Sequence, residues 1–104
     1  MSFERVAELS DLWIGELKSV RAEGRSVLLV RFETGIVANE DRCPHQAYPL
    51  SRGELDGRTL RCAAHGWEFD LATGRGVNPA SCRLVSFPVR IAGESIWVDV
   101  GGAT

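Results

Sequence analysis

The stretch Val85-Ser86-Phe87-Pro88-Val89-Arg90-Ile91-Ala92-Gly93-Glu94-Ser95-Ile96-Trp97-Val98-Asp99-Val100 decides the fold class. Val85, Phe87, Val89 and Ile91 alternate with Ser86, Pro88 and Arg90; beyond Ala92-Gly93, Ile96, Val98 and Val100 alternate with Trp97 and Asp99. A period of two sends alternate side chains to opposite faces of an extended chain, so the pattern predicts a half-buried antiparallel hairpin turning at Ala92-Gly93. Pro88 has no N–H to donate to a ladder, which predicts an edge position or a bulge at that residue.

Upstream, the same pattern recurs in shorter pieces. Residues 16–21 and 26–32 flank Ala22-Glu23-Gly24-Arg25, a loop containing glycine that suits a hairpin. Residues 3–7 form a plausible first strand, Ser10-Asp11-Leu12 reads as a turn or one helical turn, and residues 36–39 lead toward Cys43. No segment carries a helical stripe of useful length. The expectation is an all-β chain, a small antiparallel sandwich or barrel of meanders. Residues 39–82, rich in Gly, Pro and polar turn formers, are expected to be an inserted loop-rich lobe that a metal site would stabilise.

A length of 104 residues suits one domain over 1–104. Twelve basic against 14 acidic residues, net −2, give no support for nucleic-acid or polybasic membrane binding. The longest apolar run, Val27-Leu28-Leu29-Val30, is far too short to cross a bilayer, and Met1-Ser2-Phe3-Glu4-Arg5 lacks the apolar run of a signal peptide. The expected compartment is the cytoplasm, where thiols stay reduced, and an odd count of three cysteines speaks against a disulfide framework.

The scarce residues are placed together. The only two histidines each follow a cysteine closely: Cys43-Pro44-His45, then 16 residues, then Cys62-Ala63-Ala64-His65. Each half offers one thiolate and one imidazole, the mixture needed by a [2Fe–2S] centre whose one iron takes two cysteines and whose other takes two histidines. Cys43 and Cys62 would then share one iron, and His45 and His65 the other. Replacing two thiolates by neutral imidazoles removes negative charge and makes such a centre easier to reduce. Structural zinc also accepts two cysteines and two histidines, and a zinc-stabilised binding module with no redox role is the alternative. Zinc sites usually group cysteines in one half and histidines in the other, whereas here the halves are mixed. Two merely buried thiols and two satisfied histidines would leave the shared spacing without a cause.

The Cys-x-His and Cys-x-x-His pairing, with Gly66 after the second histidine, resembles the Rieske cluster-binding signature. The likeness in length and strand order extends over the whole chain. It implies a β-sandwich base and a cluster lobe whose two ligand loops are covered by a third loop, for which Asn78-Pro79-Ala80 is the candidate. It places His45 and His65 at the solvent-facing tip. High-potential members link their ligand loops by a disulfide, at positions occupied here by Tyr48 and Ala64, and donate hydroxyls from positions occupied here by Trp67 and Phe69. Fewer hydrogen bonds to the cluster imply a low potential, roughly −150 mV. Cys82 has no ligand role in that pattern and is expected to be a small buried hydrophobe.

Both histidines being committed, no mononuclear oxygen-activating iron site remains. The segment Gly74-Arg75-Gly76-Val77-Asn78-Pro79 puts proline where a dinucleotide fingerprint needs its third glycine. The chain is therefore expected to be a relay and not an enzyme. Met1-Ser2-Phe3-Glu4, Asp11-Leu12-Trp13-Ile14-Gly15-Glu16, Cys43-Pro44-His45-Gln46, Trp67 and Val77-Asn78-Pro79 before Cys82 resemble the Rieske ferredoxins of soluble diiron monooxygenases of the toluene and alkene type. That resemblance implies one [2Fe–2S] cluster, an NADH-dependent flavin and iron–sulfur reductase as donor, and a terminal hydroxylase as acceptor. The ferredoxin of an aromatic-ring dioxygenase is the alternative, with the small subunit of an assimilatory nitrite reductase behind it. Gln46, Pro49, Gly66 and Trp67 are expected around the histidines. Glu40, Asp41, Glu54, Asp56, Glu68 and Asp70 suggest an acidic lobe, diluted by Arg42, Arg52, Arg58 and Arg61.

Overall fold

The computed structural model describes residues 3–42, 49–62, 66–71, 73–78 and 84–102, with the side chain of Asn78 left aside. Along them run β1 (Glu4–Glu8), β2 (Leu17–Ala22), β3 (Arg25–Phe32), β4 (Gly35–Glu40), β5 (Glu54–Asp56), β6 (Thr59–Arg61), β7 (Glu68–Asp70), β8 (Arg75–Asn78), β9 (Ser86–Phe87), β10 (Val89–Ala92) and β11 (Ser95–Val98). Single 3-10 turns occupy Leu9–Asp11, Leu50–Arg52 and Val100–Gly102.

All four residues of the apolar run Val27-Leu28-Leu29-Val30 are fully buried. Successive side chains of a strand point to opposite faces, so four neighbours can all be buried only where both faces are covered. The run lies in β3, the second strand of a sheet ordered β2-β3-β4-β9. The β2–β3 hairpin closes at Glu23-Gly24 with positive φ at both residues, 51° and 79°, the pattern of a two-residue type I′ turn.

Each face of that sheet carries its own core. Val27 and Leu29 pack with Leu12, Ala38, Phe87, Ile96 and Val98, the last two supplied by a sheet ordered β1-β11-β10. Leu28 and Val30 point the other way, to Leu50, Leu60, Cys62, Phe69, Leu71 and Leu84, beneath a meander ordered β5-β6-β7-β8. The chain is thus built of antiparallel sheets, as the period-two pattern predicts.

Three details differ from the sequence pattern. The C-terminal hairpin forms with Val89 opposite Val98 and Ala92 opposite Ser95, so its turn is Gly93-Glu94. At Pro88 the chain changes sheets, since β9 pairs with β4 and β10 pairs with β11. A residue without an N–H sits where neither ladder needs one, and the face set up by Phe87 does not continue: Val85 and Ile91 are 37 % and 45 % exposed. The lobe expected to be irregular carries an ordered four-stranded meander. Its strands have three or four residues, and β5, Glu54-Leu55-Asp56, shows one apolar residue, too little for alternation to register. Among the described residues no helix is long and apolar enough to cross a membrane.

Candidate metal centre

The second half of the motif hangs from the β6–β7 hairpin. Leu60 pairs with Phe69 and Arg61 with Glu68; Leu60 and Phe69 are fully buried, which pins the register. Cys62 follows β6 directly. Its N–H donates to the Trp67 carbonyl at 2.7 Å, and its own carbonyl accepts from the Gly66 N–H at 2.9 Å, which ties Cys62 to Gly66 and Trp67. Gly66 takes φ +70°, a left-handed conformation that strains any other residue. Cys62 is 1 % exposed and belongs to the core beneath the meander. A cavity of about 290 Å³ opens beside it, lined among the described residues by Arg52, Glu54, Arg61, Cys62 and Gly66.

The first half leaves β4. The Glu40 N–H donates to the Val85 carbonyl at 2.9 Å and the Asp41 N–H to the Ser26 carbonyl at 3.1 Å, so the chain is held until just before Arg42. It returns at Pro49 into the 3-10 turn, where Leu50 is fully buried in the same core as Cys62. The Asp41 carboxylate joins the two ends. It accepts from the Ser51 N–H at 2.8 Å, from Ser51 Oγ at 2.9 Å and from Ser19 Oγ on β2 at 2.8 Å. Gly53 then passes so near β6 that a Cβ there would collide with the Arg61 carbonyl oxygen. Gly53, downstream of the first half, therefore lies against Arg61, the residue that precedes Cys62.

Cys62 is the candidate ligand that the structure places. Cys43, His45 and His65 lie outside the described residues, as do Gln46, Tyr48, Ala64, Pro79, Ala80 and Cys82. Among the described residues no three His, Cys, Asp or Glu side chains converge on a metal-sized site. The donor chemistry fits a [2Fe–2S] centre: a buried thiol in an apolar nest, and a sequence that adds one cysteine and two histidines shortly after Arg42 and Cys62.

Around the site, Trp67 is half-buried and packs against the core that contains Cys62, while Phe69 is wholly inside it. Trp67 therefore has a packing role whatever its part in docking. Asp41 does not belong to an acidic surface, being 8 % exposed and held by three hydrogen bonds from Ser19 and Ser51. Glu40 is paired to Arg25 at 2.6 Å, and the Arg25 guanidinium also lies 5.2 Å from the centre of the Phe87 ring. What remains of the acidic lobe is Glu54, Asp56, Glu68 and Asp70. The register sets Arg61 between Glu54 and Glu68, and alternation puts all of them on the face of the meander opposite Leu55, Leu60 and Phe69.

Sequence reasoning missed the Asp41–Ser51–Ser19 cluster and the close approach at Gly53. Nothing local marks Asp41 as buried, because its partners are distant in sequence.

The profile of the Rieske [2Fe-2S] domain family matches residues 2–88. The ferredoxin component of the alkene monooxygenase system of Xanthobacter autotrophicus is 39 % identical over 95 residues, which cover 89 % of this chain and 77 % of that one. The ferredoxin component of the naphthalene 1,2-dioxygenase system of Pseudomonas aeruginosa is 33 % identical over 87 residues, 83 % and 84 % of the two chains. Among solved structures, the ferredoxin of carbazole 1,9a-dioxygenase from Nocardioides aromaticivorans superposes with a TM-score of 0.86 over 94 % of this chain and 97 % of its own, at 26 % identity.

Proposed function

This chain belongs to the Rieske [2Fe–2S] family, and from that premise we propose that Cys43 and Cys62 hold one iron of its single cluster and His45 and His65 the other. The bound cluster supplies one-electron chemistry at a potential set by its ligands and their surroundings. The chain is an electron-transfer protein and not an enzyme, carrying single electrons from a reductase to a terminal oxygenase. Within that role it is the ferredoxin component of a multicomponent aromatic or alkene monooxygenase. Its electron donor is an NADH-dependent flavin and iron–sulfur reductase, and its acceptor is the hydroxylase.

The observation that carries the monooxygenase reading is the likeness to the alkene monooxygenase component, which exceeds the identity to the naphthalene dioxygenase component. Residues 1–104 act as one domain, with residues 39–82 as the cluster lobe. The cytoplasm, which keeps thiols reduced, is its compartment. Phe69, buried in the lobe core, and Trp67, half-buried against it, bring no O–H to the cluster, which supports a potential near the bottom of the Rieske range, roughly −150 mV.

Electron paramagnetic resonance of the dithionite-reduced protein, with iron and zinc assayed on the same sample, tests the ligand assignment. A spin-coupled signal of mixed histidine and cysteine ligation with two irons per chain supports it; one zinc and no signal ends it. Reconstitution with purified reductase and oxygenase components then tests the partner. Hydroxylation driven in a diiron monooxygenase supports the reading, and turnover only with a ring-hydroxylating dioxygenase replaces it with the alternative.

A further inference from the structure

Asp41 is a carboxylate with little solvent access, satisfied by neutral donors, two positions before a proposed cluster ligand. Its Oδ1 takes the Ser51 N–H, and its Oδ2 takes both the Ser51 and Ser19 hydroxyls. Its own N–H is spent on the Ser26 carbonyl of β3. One side chain thus gathers β2, the end of β4 and the 3-10 turn at Leu50–Arg52, and the chain it closes carries Cys43 and His45. We propose that Asp41 is a positioning residue, which holds the two ends of the first ligand loop together so that Cys43 and His45 are presented to the cluster already arranged. This rests on the ligand assignment proposed above.

The physical case is one of preorganisation. A loop whose ends are free must be ordered when metal binds, and that ordering entropy weakens binding; a loop closed beforehand avoids it. Removing the buried carboxylate also takes three hydrogen bonds from Ser51, which is half-buried, and Ser19, which is exposed. Geometry, more than charge, makes the clamp. An asparagine at 41 could keep its oxygen on the Ser51 N–H and turn its amide N–H groups to the two serine oxygens, which hydroxyls can accept. Alanine could do neither.

The test uses holoprotein and reads the cluster without any partner enzyme. In Asp41→Ala, the rate at which a chelator bleaches the visible absorption should rise roughly tenfold, the scale on which one buried hydrogen-bonded group shifts an equilibrium. The g values of the reduced cluster should also move, because the ligands sit differently. Asp41→Asn should stay close to wild type in both. Ser51→Ala, which removes one of the three bonds, should show a smaller change in the same direction, and Ser51→Thr should restore the wild-type rate. If Asp41→Ala forms no cluster at all, the Ser51 pair decides. Wild-type bleaching and g values in Asp41→Ala or Ser51→Ala overturn the proposal, as does a rate that follows global unfolding with g values unchanged. Cys43→Ser serves as the control. A colourless control beside an unaffected Asp41→Ala removes the clamp alone, whereas a control that retains the cluster removes the ligand assignment and the clamp with it.

Discussion

Leu28 and Leu29 are neighbours on β3, both fully buried, yet they serve different cores. Leu29 faces strands that alternate plainly and a core completed by the C-terminal hairpin. Leu28 faces a meander of strands three or four residues long, and a core in which Cys62, a proposed iron ligand, is one of the packed residues. On the first side, apolar residues from strands of four and five residues complete the core. On the second, short strands are supplemented by a polar clamp at Asp41, a close backbone approach at Gly53 and, on our reading, the cluster itself. The lesson is that the half of the molecule that carries the chemistry has the least covalently local information holding it in shape.

Cys62→Ser should widen that difference most. The protein should lose its visible absorption and its iron, and hydrogen exchange should show lost amide protection across residues 54–78 with β2 to β4 still protected. Equal loss on both sides of β3 would erase the distinction. Next come the two leucines. Leu29→Ala and Leu28→Ala should each cost about 2–5 kcal/mol. The first should lower the denaturant midpoint of apo and cluster-loaded protein alike; the second should chiefly speed the bleaching of the cluster by a chelator. Gly53→Ala forces a Cβ onto the Arg61 carbonyl and should cost about 1–3 kcal/mol, seen as a lower melting temperature of the loaded protein. The smallest effect is expected from Glu40→Ala. It breaks a largely solvent-screened pair with Arg25 at 2.6 Å, should change stability by less than about 1 kcal/mol, and should leave the chelator rate unchanged.

The sequence reading fared best where the relevant partners are close along the chain. The β2–β3 hairpin was legible because Glu23-Gly24 is both its turn and its signal, and Leu9–Asp11 forms a single 3-10 turn where Ser10-Asp11-Leu12 suggested one. The proposed ligand set stands out in the sequence for another reason: thiolates and imidazoles at fixed short spacings answer to metal chemistry and not to the fold. The meander stayed hidden because Leu55, Leu60 and Phe69 each stand alone between polar neighbours, and a single apolar residue carries no period.

By itself, then, the sequence determined the antiparallel β class and pointed, through its closely spaced cysteines and histidines, to the [2Fe–2S] family that the chain belongs to. These follow from alternation and from donor type, which are properties of neighbouring residues. Only the tertiary structure decided that Val27-Leu28-Leu29-Val30 is covered on both faces, that Pro88 passes the chain from one sheet to another, and that Asp41 is a buried clamp and not a surface charge. Asp41 meets Ser51 and Ser19 across separations of 10 and 22 residues, and burial of that kind is settled by which segments the fold brings together, a quantity that no local pattern encodes.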